Sequence, residues 1–294
     1  MEKRALGATG LEVSVVGLGA GRLGGEDLSE WQAEELLLGA LDAGVTLVDA
    51  ARSYGLAEER IGRYLAAAHR RGEFVLSTKG GYGVDMVDDW THAAIVRGVD
   101  RALGALGTET IDVFFLHSCP RETALRDDIF EALERAKEAG KVRFLGYSGE
   151  GDALGACVRS GRFEVVQCSV NLFDQKNLEA IIPSAETRGV GVIAKRPLAN
   201  AVWRVHSWPE GEDVDYWQRM QAMQLATPEA GWLDLAVRWS AFSPGVSSAI
   251  VGTSRLEHLR DAIVAADRGG LPADLRSQIA TAFAAKDRNW GGRI

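Results

Sequence analysis

The chain has 294 residues, 46% of them hydrophobic and 25% charged, the balance of a globular protein that buries a core. Its net charge of -8 argues against non-specific nucleic-acid binding, although local Lys and Arg can still gather around an anionic ligand. Cys119, Cys157 and Cys168 offer no disulfide framework, the start "MEKRALGATGLEV" lacks the apolar core of a signal peptide, and no apolar run approaches the roughly 20 residues that cross a bilayer. A cytoplasmic protein is expected, with neither nucleic acid nor membrane as a partner.

In chain order, "RALGATGLEVS" carries two short extended pieces around "GATG", a predicted hairpin. Eight apolar or β-branched runs follow, at 14–19, 45–49, 74–78, 111–117, 142–148, 165–169, 190–195 and 247–252. Continuous apolar runs fit strands buried on both faces. Helical patterns lie between them. "SEWQAEELLLGALDAG" opens on a cap candidate, Ser29, and ends at Gly44, while "DIFEALERAKEAGK" stops at Gly140. An insertion at about 200–230 is rich in Trp and charge, and "PADLRSQIATAFAAKD" reads as a final helix.

Eight strand–helix units predict an α/β fold, a (β/α)8 TIM barrel with an N-terminal β-hairpin and a C-terminal extra helix, as one domain over 1–294. "GAGRLG" at 19–24 also matches the dinucleotide-fold pattern GxGxxG. In that fold the glycines open the helix directly, whereas here the helix begins near Ser29.

Barrel chemistry sits where the strands end. The second barrel strand ends on Asp49, with Tyr54 in the loop beyond it. The third ends near Lys79 and the fourth on His117. Taken singly, each has a plain structural reading: a cap, an ion pair, a core histidine, a loop anchor. Together they put a carboxylate, a phenol, an ammonium and an imidazole on one rim. A cation beside the phenol favours its phenolate and makes it a better proton donor near neutral pH. Lys79 is that candidate cation, Asp49 would hold it, and His117 could bond a substrate oxygen. If Tyr54 protonates a carbonyl oxygen, a hydride must come from elsewhere, which implies a nicotinamide.

"VDAARSYG", "STKGG" and "FFLHS", in this order, resemble the aldo-keto reductase superfamily, over essentially the whole chain. The resemblance implies reduction of an aldehyde or ketone with NADPH (NADH possible) by the tetrad Asp49, Tyr54, Lys79 and His117. It implies Ser148 and Gln167 at the nicotinamide carboxamide, Gly19, Ala20 and Asp49 at its ribose, and Leu198 at the pyrophosphate. The loops "AKRPLAN" and "VGTSRLEHLRDAI" add Lys195 and Arg196, and Gly252, Thr253, Ser254 and Arg255, as phosphate candidates.

Departures from the family pattern are visible. Gly149 stands where Asn is usual, Lys195 where an aromatic residue often stacks on the nicotinamide, His258 where Arg often grips a 2′-phosphate, and Ala262 where Asn lies near adenine. Lys195 is expected either to disfavour the oxidised ring or to turn toward phosphate, and Arg255 or Arg260 to replace the missing Arg. Trp203, Trp208 and Trp217 either roof the substrate pocket or pack the insertion on the barrel, and Trp31, Trp232 and Trp239 are expected in packing. No His/Cys spacing suggests a metal site. Two other functions fit the residues: a Schiff-base aldolase using Lys79, and a cofactor-binding regulatory subunit with little turnover.

Overall fold

A computed structural model describes residues 1–293. Two short strands, β1 (Lys3–Ala5) and β2 (Glu12–Ser14), form an antiparallel hairpin. Eight parallel strands close a barrel: β3 (Val16–Gly19), β4 (Leu47–Asp49), β5 (Val75–Gly80), β6 (Ile111–His117), β7 (Val142–Ser148), β8 (Val165–Ser169), β9 (Gly191–Lys195) and β10 (Ser248–Gly252). Each pairs with its sequence neighbour, and β10 returns to β3. This is the predicted (β/α)8 barrel, and the extra helix Ala273–Lys286 follows its last unit.

The hairpin caps the strands' N-terminal ends. Its Leu6, Leu11 and Val13 pack with Leu47, Val75, Val113, Val165, Ile193 and Ile250 in one buried cluster. Arg4 ties it down, donating to the carbonyls of Ala241 and Val246. A barrel filled this way is a core, not a channel, and barrel chemistry sits on the opposite rim.

The expected strand at 14–19 splits. Ser14 ends the hairpin, and Ser14 and Thr46 each donate a backbone N–H to the other's hydroxyl, at 2.8 and 2.9 Å. The chain turns there into β3. The first long helix, Glu30–Asp42, starts as predicted: Ser29 and Gln32 form a reciprocal capping box. Its stripe of Ala33, Leu36, Leu37 and Ala40 faces the core, which puts Trp31 on the other side, 68% exposed. Trp31 is therefore not a packing residue, whereas Trp239 is fully buried.

Among the described residues, no helix is long and apolar enough to cross a membrane, and no group of three or more His, Cys, Asp or Glu could hold a metal ion. The three cysteines are buried and unpaired.

Candidate active site

Register sets the rim. Gly19 lies beside Asp49, Asp49 beside Ser77, His117 beside Ser148, Ser148 beside Gln167, and Gly252 beside Gly19. Asp49 and Lys79 are both buried, with Lys79 Nζ donating to Asp49 Oδ2 at 2.5 Å and to the Ala50 carbonyl at 2.8 Å. The other oxygen of Asp49 accepts from Ser77 Oγ at 2.7 Å and from Gln167 Nε2 at 3.0 Å. A buried carboxylate with this many partners is a fixed anion.

Burial alone favours a neutral Lys79 amine, but the Asp49 charge, Tyr54 and hydrogen bonds to both outweigh it and hold its pKa above the usual lysine value. A Schiff base needs the neutral amine, which this pairing opposes.

Half-buried Tyr54 points its hydroxyl at the ammonium, with Nζ 3.5 Å from Oη and 4.9 Å from the ring centroid. Its ring meets His117 edge-on, with centroids 6.2 Å apart. Burial, then the charges of Lys79 and Lys195, push His117 down to about 3, so its imidazole is neutral at ordinary pH. The four predicted side chains thus meet on one rim.

The loop that presents Tyr54 is built by close contact. Leu56 N donates to the Gly24 carbonyl, and a Cβ on Gly24 would lie 1.5 Å from the Tyr54 carbonyl oxygen. The last glycine of "GAGRLG" therefore serves the Tyr54 loop, not a dinucleotide turn. Buried Arg60 clamps the facing loop by donating to the carbonyls of Leu23, Gly25 and Leu28. Gly24→Ala must push the Tyr54 loop away, and a misplacement of about 1 Å costs on the order of 100-fold in rate. A loss of kcat of that order, with the unfolding midpoint moving far less, is the expected result; unchanged kcat would contradict it.

The rim opens into a cavity of about 830 Å³ lined by Tyr54, His117, Gly19, Ser148, Gln167 and Lys195, among others. A second cavity of about 580 Å³ adjoins it, sharing Leu198, Ala201 and Gly252. The aldo/keto reductase family profile matches residues 15–282.

The chain belongs to the aldo/keto reductase family. As a family member it is an oxidoreductase whose general chemistry is carbonyl reduction. It is 28% identical to the uncharacterized oxidoreductase YqkF of Bacillus subtilis over 287 residues, covering 91% of this chain and 92% of that one. It is 27% identical to L-galactose dehydrogenase of Arabidopsis thaliana, covering 90% and 88%. The holo form of aldo-keto reductase AKR11C1 from Bacillus halodurans superimposes with a TM-score of 0.82 at 25% identity, covering 96% of each chain.

Aldo-keto reductases use a nicotinamide cofactor, and the two cavities suit one. Bare backbone at Gly19, Gly21 and Gly252 lines them. Ser148 Oγ donates to Gln167 Oε1 at 3.0 Å, leaving the second amide N–H and lone pairs on this pair for a carboxamide. Leu198, Arg196 and Lys195 line the first cavity, and Thr253 and His258 the second. Ser254 and Arg255 line neither, and Arg255 is 66% exposed and pairs with Glu257. Ala20 is buried under the rim, donating its N–H to the Asp49 carbonyl.

The departures have local causes. A Cβ on Gly149 would lie 2.6 Å from the Tyr147 hydroxyl oxygen, so the buried Tyr147 takes the space that the family's Asn would need. Lys195 does not stand alone at the cavity: Glu150, buried, sits 3.3 Å from its ammonium. Glu150 is held in turn by the Ser169 N–H and Asn177 Nδ2. Glu150 lies two residues beyond Ser148, but no motif or periodicity marks it in the sequence.

The aromatic roof is not there. Trp208, 64% exposed, meets Trp217 edge-on, and Trp217 donates from Nε1 to the Val205 carbonyl and packs against the buried cluster that holds Phe173 and Trp239. Trp203 stacks on Trp232, and both line the second cavity. Over the first cavity the insertion presents Glu210, Glu212 and Asp213, of which Glu212 pairs with Arg196 and Asp213 accepts from Asn200.

Proposed function

We propose that the chain works as one barrel domain over residues 1–294 that reduces an aldehyde or ketone with NADPH, Tyr54 supplying the proton. The observation that carries this reading is the 3.5 Å approach of Lys79 Nζ to Tyr54 Oη beside the buried Asp49. Tyr54 donates its hydroxyl proton to the carbonyl oxygen. The charge left on Oη faces an ammonium that is already fixed, so little reorganisation accompanies the transfer. Asp49 keeps that ammonium charged and aimed, and Ser77 and Gln167 keep Asp49 in place. The neutral His117 donates a hydrogen bond to the same carbonyl oxygen. The 3.5 Å contact is long for a hydrogen bond, and such contacts tighten once substrate is bound.

A bound nicotinamide would supply the hydride for the carbonyl carbon. Ser148 and Gln167 would take its carboxamide, Gly19, Ala20 and Asp49 its ribose, and Lys195, Arg196 and Leu198 its pyrophosphate. Gly252, Thr253 and His258 would receive the adenosine end. Arg204 and Arg268, which line the second cavity with His258, replace Arg255 as partners for a 2′-phosphate. Arg268 also pairs with Asp234, whereas Arg204 is exposed, so Arg204 gives the cleaner test. Arg204→Ala is expected to weaken NADPH about tenfold, the loss of one charge-assisted contact, and to leave NADH unchanged. Equal losses by fluorescence titration would remove Arg204 from that role.

The reading as a whole is tested by NADPH oxidation across a panel of aldehydes and ketones. Turnover of at least one carbonyl is expected. Tight cofactor binding with no reduction of any would favour the regulatory-subunit reading instead.

A further inference from the structure

Tyr82 has no part in the chemistry described so far. It follows β5 in "GGYG" and is half-buried. Its phenol oxygen lies 2.8 Å from His117 Nδ1 and 3.1 Å from Ser53 Oγ. Its ring stacks on the imidazole, with centroids 5.6 Å apart and planes at 29°, and lies 5.5 Å from the Trp90 ring. Trp90 is pinned through its backbone: its N–H donates to the Gly81 carbonyl, and its own carbonyl accepts from Arg126. The phenol is thus held against one nitrogen of His117 from two sides.

A neutral imidazole carries one N–H and one lone pair. If the proton sits on Nδ1, the ring can only accept at Nε2; if it sits on Nε2, the ring can donate there. The partner of Nδ1 decides between them. Tyr82 has one proton for two neighbours, while the Ser53 hydroxyl can both donate and accept. A phenol is a stronger acid than an alcohol, and an imidazole nitrogen is a stronger base than a hydroxyl oxygen. The best match sends the phenol proton to Nδ1, across the shorter distance, and lets Ser53 donate to the phenol oxygen.

We propose that Tyr82 is a positioning residue: its hydroxyl donates to His117 Nδ1 and so fixes the tautomer that carries its proton on Nε2, ready to donate to a substrate oxygen. What that proton is used for rests on the proposed carbonyl chemistry; the tautomer itself does not.

Long-range ¹H–¹⁵N correlation spectra of the full chain, with and without NADP⁺, report the tautomer of His117, and a His117→Gln spectrum assigns its signals among the five histidines. The Nε2–H pattern is expected in the wild type, and a mixture in Tyr82→Phe, which keeps both ring contacts and loses only the hydroxyl. The Nδ1–H pattern in the wild type, or an unaltered Nε2–H pattern in Tyr82→Phe, would overturn the inference. In kinetics, Tyr82→Phe is expected to lower kcat/KM about tenfold, the scale of one mis-set hydrogen bond, with NADPH affinity unchanged. It should have no further effect once His117 is Gln; an equal loss in that background would also overturn it. A shifted tautomer in a protein that reduces no carbonyl would refute the catalytic reading and leave the Tyr82 assignment standing.

Discussion

Replacing Tyr54 by Phe is expected to lower kcat by about 10²–10⁴-fold, the usual contribution of a positioned proton donor. The ring remains, so its edge contact with His117 and its place over Lys79 are kept. Cofactor affinity should hardly change, because Tyr54 is only half-buried and none of the Asp49 hydrogen bonds uses it. Steady-state rates and a fluorescence titration on the same preparation separate these effects. A kcat within a few fold of wild type would remove Tyr54 from the proton-transfer step.

Lys79→Met should damage both rate and stability. It removes the ammonium that faces Tyr54 and leaves Asp49 as a buried carboxylate without its cation. Breaking a buried pair from one side costs about 3–5 kcal/mol, read in urea unfolding. Asp49→Asn added to Lys79→Met should recover part of that loss, since the two sites are in contact. The pH sign follows from the raised lysine pKa. The contribution is fully present below the unfolded value, near about 10.4, and is lost only as pH rises through the higher folded value. Between about pH 6 and 9 the stability gap between wild type and variant should therefore not narrow as pH rises. A gap that narrows steadily as pH rises toward about 9 would mean that Lys79 is not held charged beside Asp49.

Much of the barrel is legible in the sequence because β5, β6, β8 and the second half of β7 are short runs buried on both faces, and few other structures need so many in succession. The candidate site is legible for the same reason. Asp49, Lys79 and His117 are polar residues at the ends of such runs, where a packed core gives them no business unless they partner one another.

What escapes the sequence depends on contacts between loops. Tyr82 matters because its loop folds back onto His117, and Glu150 because Lys195 arrives from two strands away. Neither contact leaves a periodic trace. The Trp residues mislead in a related way. Composition says that 200–230 is aromatic, but only tertiary packing turns Trp217 toward Trp208 and leaves acidic side chains over the cavity. Trp31 sits among helical apolar residues yet two positions off their stripe.

On the proposed mechanism, this rim protonates a carbonyl oxygen while its carbon receives hydride from a nicotinamide. The most direct measurement is the mass spectrum of the alcohol formed from an aldehyde and NADPH carrying deuterium at both C4 positions. One deuterium on the former carbonyl carbon is the expected result. An alcohol without deuterium there, or no alcohol from any carbonyl while the cofactor is bound, would contradict it.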